Sequence, residues 1–500
     1  MAITLMDFVG EMLHDHGLDG TETLTLAEAG MDSLSLVELL DRLEPFGDEA
    51  EPEPSYALAD GGVLQRLSIA ELVAIAEAID QTGDVRKVLE PYVAVHGDEA
   101  RQAVEAMMRR DSQLDAEERY EPAAELGPTV LMTGATGFVG PFLLASLIEQ
   151  SDWTIYCLTR AIDAAAAQVR LESSLRTAGL LSPTIEEALS SRVIGLPGDL
   201  SRANCGLAPE TWERLATEVS TVVHNGASVD YVRTYEALRP HNVDGTKEML
   251  RFCRTGRPKN LQYISSTIIF GWTALRRLYE DDSNTEMMNL DFGYAQTKWV
   301  AEQLVRQARD RGLTSTIFRP SFLTASTEGF GDPTDIVARL LSFMIRHGIA
   351  PTAGNQVSFL PVDVAMDTVA AIMTQGNAHG ETLHVTVDDY YNIGHVMSEI
   401  ADRYGYPMSL IDTEAFVGAL RGRCGPADPM YPLLEFVVRS YKKLLKMEQK
   451  RYDNSTYRKV RAGALPDYSE PLLGQTAQSL VEFLVTQKLV EPPMVASSVG

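Results

Sequence analysis

Three stretches of this 500-residue chain hold residue types at spacings that suit chemistry. In Gly293-Tyr294-Ala295-Gln296-Thr297-Lys298, a tyrosine and a lysine lie four residues apart, which puts both on one face of a helix. A phenol titrates near 10, so a tyrosine that gives up its proton near neutral pH needs a cation beside it, and Lys298 can supply that charge. Alone, this spacing is also common on ordinary surface helices. The second stretch is Thr133-Gly134-Ala135-Thr136-Gly137-Phe138-Val139-Gly140, between a strand pattern and the apolar helix PFLLASLI. Glycines at 134, 137 and 140 allow a tight turn, close approach of a pyrophosphate, and helix-to-strand packing. About 20 residues on, where an acid would hold a ribose 2′-hydroxyl, stands Arg160. A cation there suits a 2′-phosphate, so the expected cofactor is NADPH rather than NADH. Arg170 is either a second phosphate contact or a solvated helix residue. In the third stretch, Gly30-Met31-Asp32-Ser33-Leu34, Ser33 opens a helix. Its hydroxyl is either an N-cap or a modification point, where helix N–H groups would favour an incoming phosphodiester.

The elements that carry these residues divide the chain. Apolar positions at helical spacing (Leu5, Phe8, Val9, Met12; Leu36, Val37, Leu40; Ile69, Leu72, Val73, Ile79) predict a small helical bundle over 1–83. That unit holds 18 acidic and 2 basic side chains, net −16 of the chain's −27, with an acidic turn-rich loop at 47–62. Residues 84–127 read as a helical linker. From Thr129, short apolar runs alternate with helices (TVLMTG, TIYCLTR, SRVIGLPGD, TVVHNG, NLQYIS, STIFRP), which predicts parallel βαβ units over 128–375. The expected fold class is α/β: a small N-terminal helical bundle, a Rossmann-type doubly wound parallel sheet, and a smaller, largely helical subdomain over 376–500, with a further strand candidate at ETLHVTV.

Composition narrows the function. The acidic balance disfavours nucleic acid, since phosphate backbones are bound mainly by Lys and Arg. No apolar run reaches the roughly 20 residues of a membrane span, and the N-terminus lacks a signal-peptide pattern, so a cytoplasmic protein is expected. Cys157, Cys205, Cys253 and Cys424 stand far apart, without the pairing of a disulfide frame or zinc site, and no metal is expected.

Taken together, the motifs carry two resemblances. GMDSLSLVELL resembles the attachment motif of acyl and peptidyl carrier proteins, which implies 4′-phosphopantetheine on Ser33 and a phosphopantetheinyl transferase as partner. TGATGFVG, Gly198-Asp199-Leu200, His224-Asn225-Gly226-Ala227, Asn242-Val243-Asp244-Gly245-Thr246 and GYAQTKWVAEQLV together look like the thioester reductase domains of the extended short-chain dehydrogenase/reductase family. Such domains terminate some nonribosomal peptide and polyketide synthases and carboxylic acid reductases. The resemblance implies Asp199 and Leu200 near the adenine, and Asn225, Gly226 and Ala227 beside the nicotinamide. It also implies Ser266 (with Thr267 as a rival), Tyr294 and Lys298 as the catalytic set, Lys298 also holding the nicotinamide ribose. The chain departs from its relatives at Arg319-Pro320-Ser321, where they usually carry glycine after the proline.

The expected activity is therefore NADPH-dependent reduction of a carrier-bound acyl thioester, releasing an aldehyde or, after a second reduction, an alcohol. Other synthase or acyltransferase proteins would load the acyl group. The rivals are an epimerase or dehydratase acting on a free substrate, and a non-redox cyclising domain. The basic run Arg439, Lys442, Lys443, Lys446, Lys450, Arg451, Arg458, Lys459, Arg461 is the expected docking face for the acidic carrier.

Overall fold

The computed structural model describes residues 4–15, 17–20, 23–26, 28–29, 39, 67–123, 127–446 and 450–493. Only the backbone is described at 85–86, 90–91, 93–100, 288, 435, 439, 442 and 444–446. Ser33 and its motif, and the loop at 47–62, lie outside the described residues.

At the N-terminal end, α1 (Leu5–Asp15) packs against α2 (Ile69–Thr82), burying Leu5, Val9, Leu13, Leu72, Ile75 and Ile79 in a core of their own. Each such aliphatic side chain contributes roughly 1.5–3 kcal/mol when fully buried. Ser68 starts α2 by a reciprocal cap: its hydroxyl accepts from the Glu71 amide while the Glu71 carboxylate accepts from the Ser68 amide. The following helix, α3 (Val85–Asp111), spans two cores, with Leu89 in the N-terminal one and Val104 and Met108 in that of the sheet domain. Asp111 at its end accepts from the Tyr235 hydroxyl at 3.0 Å and the Arg239 guanidinium at 2.5 Å, which fixes the helix to the sheet domain.

The sheet has seven strands: β1 (Thr129–Thr133), β2 (Thr154–Thr159), β3 (Val193–Pro197), β4 (Thr221–His224), β5 (Asn260–Ile264), β6 (Ser315–Pro320) and β7 (Thr382–Val385). All pairings are parallel, in the order β3-β2-β1-β4-β5-β6-β7. Apolar layers cover both faces, so β1 and β4 run buried without alternation. The six strands read from sequence alternation all form. The seventh lies beyond residue 375, so the sheet continues past the predicted boundary of the reductase core.

Strand order reverses between β1 and β4, the position at which open α/β sheets present a crevice at their carboxyl ends. Three helices flank it: α4 (Gly140–Gln150) after β1, α5 (Gly293–Asp310) before β6, and α6 (Ile336–His347) after it. Beyond β7, helix α7 (Leu434–Lys446), the strand pair joining Arg451–Tyr452 to Arg277–Leu278, and helix α8 (Ser455–Ala464) fold back on the sheet domain. None of the described helices is long and apolar enough to cross a membrane.

The expected docking face is corrected in two places. Lys450 is only 5% exposed and donates to the Gly271 carbonyl at 3.1 Å, while Arg461 is buried and donates to Asp388 at 2.7 Å. Lys443 pairs with Asp291. Both side chains turn onto acceptors from distant parts of the chain, which a linear charge run does not show.

Candidate active site

Three loops meet at the carboxyl ends of the central strands. Gly134, after β1, takes φ +73°, a region glycine enters without strain. The Asn225 side-chain amide, after β4, donates to the Gly134 carbonyl at 3.1 Å and ties the two loops together. Beneath them a hydrogen-bond chain sets one proton arrangement. The Gly226 amide donates to the Thr133 hydroxyl (2.9 Å), which donates to His224 Nδ1 (2.8 Å). His224 Nε2 then donates to the Thr246 hydroxyl (3.0 Å), which donates to the Asn242 carbonyl (2.7 Å). Burial, reinforced by Lys298, pushes His224 down to about 3 and keeps this ring neutral. His224 is the last residue of β4 and serves as a strut for the loop that follows.

Helix α5 brings Tyr294 and Lys298 to the same crevice. Its first residue, Gly293, lies against the backbone of Arg233 and Thr234, where a Cβ would come within 2.3 Å of the Arg233 carbonyl oxygen. Only glycine lets the helix start this close, and Tyr294 follows directly. Lys298 donates to the Tyr263 hydroxyl at 3.1 Å and the Ile264 carbonyl at 2.8 Å, leaving one donor of its ammonium for a ligand. Burial pushes Lys298 down to about 7, and Glu302, one turn further along α5, opposes that. Tyr294 is shifted upward, by burial and then by the Asp335 carboxylate. The expected lowering of this phenol by Lys298 is thus not what the protein alone produces.

Behind Lys298 lies a fully buried ion pair. Arg319 donates to Glu302 at 2.5 and 3.1 Å, and Ser265 donates to Glu302 at 2.6 Å. Burial alone would raise the Glu302 carboxyl, but Arg319, Arg306 and Ser265 more than offset it and hold it low. Ser266, extended after β5, caps the short helix Thr267–Phe270 by accepting from the Ile268 amide at 3.2 Å; its own proton reaches the Pro320 carbonyl only at 3.5 Å. The neighbouring Thr267 lies beside the half-buried Tyr452 side chain.

One cavity of about 980 Å³ joins these groups. Its lining includes Gly134, Thr136, Gly137, Phe138, Val139, Arg160, Arg170, Asp199, Leu200, Asn225, Gly226 and Ala227 at one end, and Ser266, Thr267, Tyr294 and Lys298 further in. Of the predicted cofactor residues, Gly140 alone is absent from the lining; it packs α4 against the glycine turn, where a Cβ would stand 2.1 Å from the Gly134 carbonyl oxygen. The far end holds residues that sequence reasoning missed. Tyr231, Trp272, Phe292 and Phe436 form a ring cluster, with Tyr231 6.0 Å from Tyr294 and 5.1 Å from Phe436, and Phe292 5.3 Å from Phe436. Asp335, which caps α6, is pushed up to about 6 by burial. Lys450 and Tyr452 complete this wall. No periodicity or motif marks them, because they come from segments far apart in the chain.

The near end fits a dinucleotide on its own geometry. The first turn of α4 has no side-chain cap, so its amides suit a pyrophosphate. A Cβ on Gly137 would meet nothing nearer than 3.7 Å, so that glycine borders open cavity. Asp199, after β3, is held below the usual carboxylate range: burial raises it, but Ser201 and His241 outweigh that, so it stays an acceptor. The fold and the site together define a nicotinamide-dinucleotide-binding oxidoreductase domain.

Residues 132–369 match the protein family described as Male sterility protein. The chain is 36% identical over 266 residues to the aldehyde reductase lnbA of Aspergillus flavus, an alignment covering 51% of this chain and 26% of that one. It therefore spans about a quarter of that relative's length. It is similar to the terminal R domain of the myxalamid PKS-NRPS biosynthetic pathway, with 29% identity and a TM-score of 0.71 over 78% of this chain and 100% of the other. An archaeal nonribosomal peptide synthetase thiolation-reductase di-domain shares the fold over 97% of both chains, at 17% identity and a TM-score of 0.69.

Proposed function

We propose that this protein reduces an acyl thioester, carried on the phosphopantetheine arm of Ser33 or of a separate carrier, to an aldehyde with NADPH. The observation that carries the reading is the single cavity in which a dinucleotide cradle, the Tyr294 phenol and an aromatic-lined pocket adjoin. The likeness to a terminal R domain supports the thioester as substrate. Arg160 and Arg170 at the rim after β2 support NADPH over NADH, since two cations would meet the 2′-phosphate. Acyl loading would come from synthase or acyltransferase partners, and arm attachment from a phosphopantetheinyl transferase.

When bound, the reduced nicotinamide supplies a hydride to the thioester carbonyl carbon. The chain's own groups handle the oxygen. Ser266, whose proton has only a long internal acceptor, donates a hydrogen bond to the carbonyl and holds it in register. Tyr294 delivers the proton as charge builds on that oxygen. Burial and Asp335 keep the phenol protonated beforehand, and the Lys298 ammonium favours the phenolate once the proton has left. The resulting thiohemiacetal expels the arm's thiol and leaves the aldehyde; a further reduction to the alcohol would consume a second NADPH.

The test combines the protein with pentanoyl-pantetheine and NADPH, following cofactor absorbance and trapping aldehyde, alongside mass analysis of Ser33 after treatment with a phosphopantetheinyl transferase. The reading expects oxidation of one NADPH per aldehyde trapped, and an arm on wild type but not on Ser33→Ala. An unchanged cofactor signal overturns the reductase; an unmodified Ser33 confines the protein to separate carriers.

A further inference from the structure

We infer that Lys450 is a specificity residue of the same cavity, selecting acyl groups that end in a carboxylate a few carbons beyond the thioester. The inference rests on the thioester reading above and adds the chemical class of the acyl chain.

The geometry is local and rigid. Arg451 and Tyr452 pair with Arg277 and Leu278, the Arg451 amide donates to the Arg276 carbonyl at 2.8 Å, and the Tyr452 amide donates to the Tyr390 hydroxyl at 3.2 Å. This holds Lys450 on a fixed edge rather than on a floppy tip. Its ammonium donates to the Gly271 carbonyl at 3.1 Å and stands 5.4 Å from the centre of the Tyr452 ring. Gly271 is followed by Trp272, a member of the aromatic cluster, so the ammonium sits at the edge of the apolar pocket.

The chemistry of the position is unusual. Lys450 is 5% exposed and lines the cavity, and no carboxylate pairs with it among the described residues. Burial alone pushes it down, to about 7. A buried cation without a counter-ion is costly, and an anion brought by a ligand relieves that cost. Asp332 and Asp335 also line the cavity, but neither perturbs Lys450.

The spacing sets the chain length. Gly271, whose carbonyl holds the Lys450 ammonium, lies five residues beyond Ser266 across one four-residue helix, a span of about 10 Å at roughly 2 Å per residue. A thioester carbonyl at Ser266 and a carboxylate at Lys450 are therefore bridged by a short dicarboxylic acyl group, with the aromatic cluster beside its methylenes. Tyr452 lies between the two ends, beside Thr267 on one side and under the ammonium on the other.

Binding of unreactive analogues tests this without requiring turnover. S-(4-carboxybutyl)pantetheine and S-pentylpantetheine differ only in the terminal carboxylate, and calorimetry reads both on the NADP-loaded protein. Wild type should bind the carboxylate at least about tenfold more tightly, and Lys450→Met should reduce that ratio below about threefold while still binding the pentyl analogue. A wild-type ratio near one overturns the inference whether or not the variant folds. So does a tenfold preference that survives Lys450→Met, or a Lys450 dependence that appears only when the arm carries its phosphate. Turnover of pentanoyl-pantetheine, measured separately, reports on the reductase reading itself.

Discussion

Lys298 stands one helical turn from Tyr294, yet its ammonium is bonded to the Tyr263 hydroxyl and the Ile264 carbonyl rather than to the Tyr294 phenol. The pair is held in place by the strand beneath α5. In the proposed mechanism Lys298 acts through its charge once the phenol has given up its proton, so that reaction would depend on whether the charge is present.

Its titration gives the first prediction. Burial lowers Lys298 to about 7, so the ammonium is fully present below that pH and is lost as pH rises through it. kcat/KM should decline on the alkaline side of about 7. Lys298→Met should flatten that limb and cost about 10²–10⁴-fold in kcat. A limb that stays in place in Lys298→Met contradicts the assignment.

The ion pair behind Lys298 gives a second. Glu302 and Arg319 are both fully buried, and removing one charge of such a pair leaves the other uncompensated, at a cost of about 3–5 kcal/mol. Glu302→Gln should therefore unfold at lower denaturant. The carboxyl is held down at about 2, so its stabilisation is present above about 4.5 and lost as pH falls through about 2. The gap between wild type and variant should narrow over that interval in acid denaturation curves. Because Glu302 supports the Lys298 charge, the variant's alkaline limb in kcat/KM should also move to lower pH.

Cofactor choice gives a third. Arg160 borders the cavity after β2, and among the described residues no acid pairs with it. A hydrogen bond between charged groups is worth about 1.5–3 kcal/mol, so Arg160→Asp should raise the KM for NADPH on the order of 10–100-fold and leave that for NADH nearly unchanged. Equal effects on both cofactors would remove Arg160 from the phosphate site.

The parts legible in the sequence are those with local signatures. The glycine turn lies between β1 and α4 because strand, turn and helix follow one another within 22 residues, and the six strands from β1 to β6 announce themselves by apolar runs between helices. Tyr294 and Lys298 share a face because they share a helix. What escaped has no local signature. Lys450 and Gly271 meet across 179 residues, and Tyr231 and Phe436 across more than 200, through packing that no spacing rule encodes. The same blindness made Lys450 and Arg461 look like surface charge. The seventh strand was visible as a candidate, but its membership of the sheet depends on pairing with β6, an event of tertiary structure.

The most direct measurement is a single-turnover experiment with the acyl-loaded chain in excess over NADPH, comparing wild type with Tyr294→Phe. Wild type should consume the cofactor with matching release of aldehyde. The variant should bind NADPH with unchanged affinity and react about 10²–10⁴-fold more slowly. Equal rates in the two proteins, or loss of cofactor signal with no aldehyde formed, would contradict the role of Tyr294 as the proton donor to the reduced carbonyl.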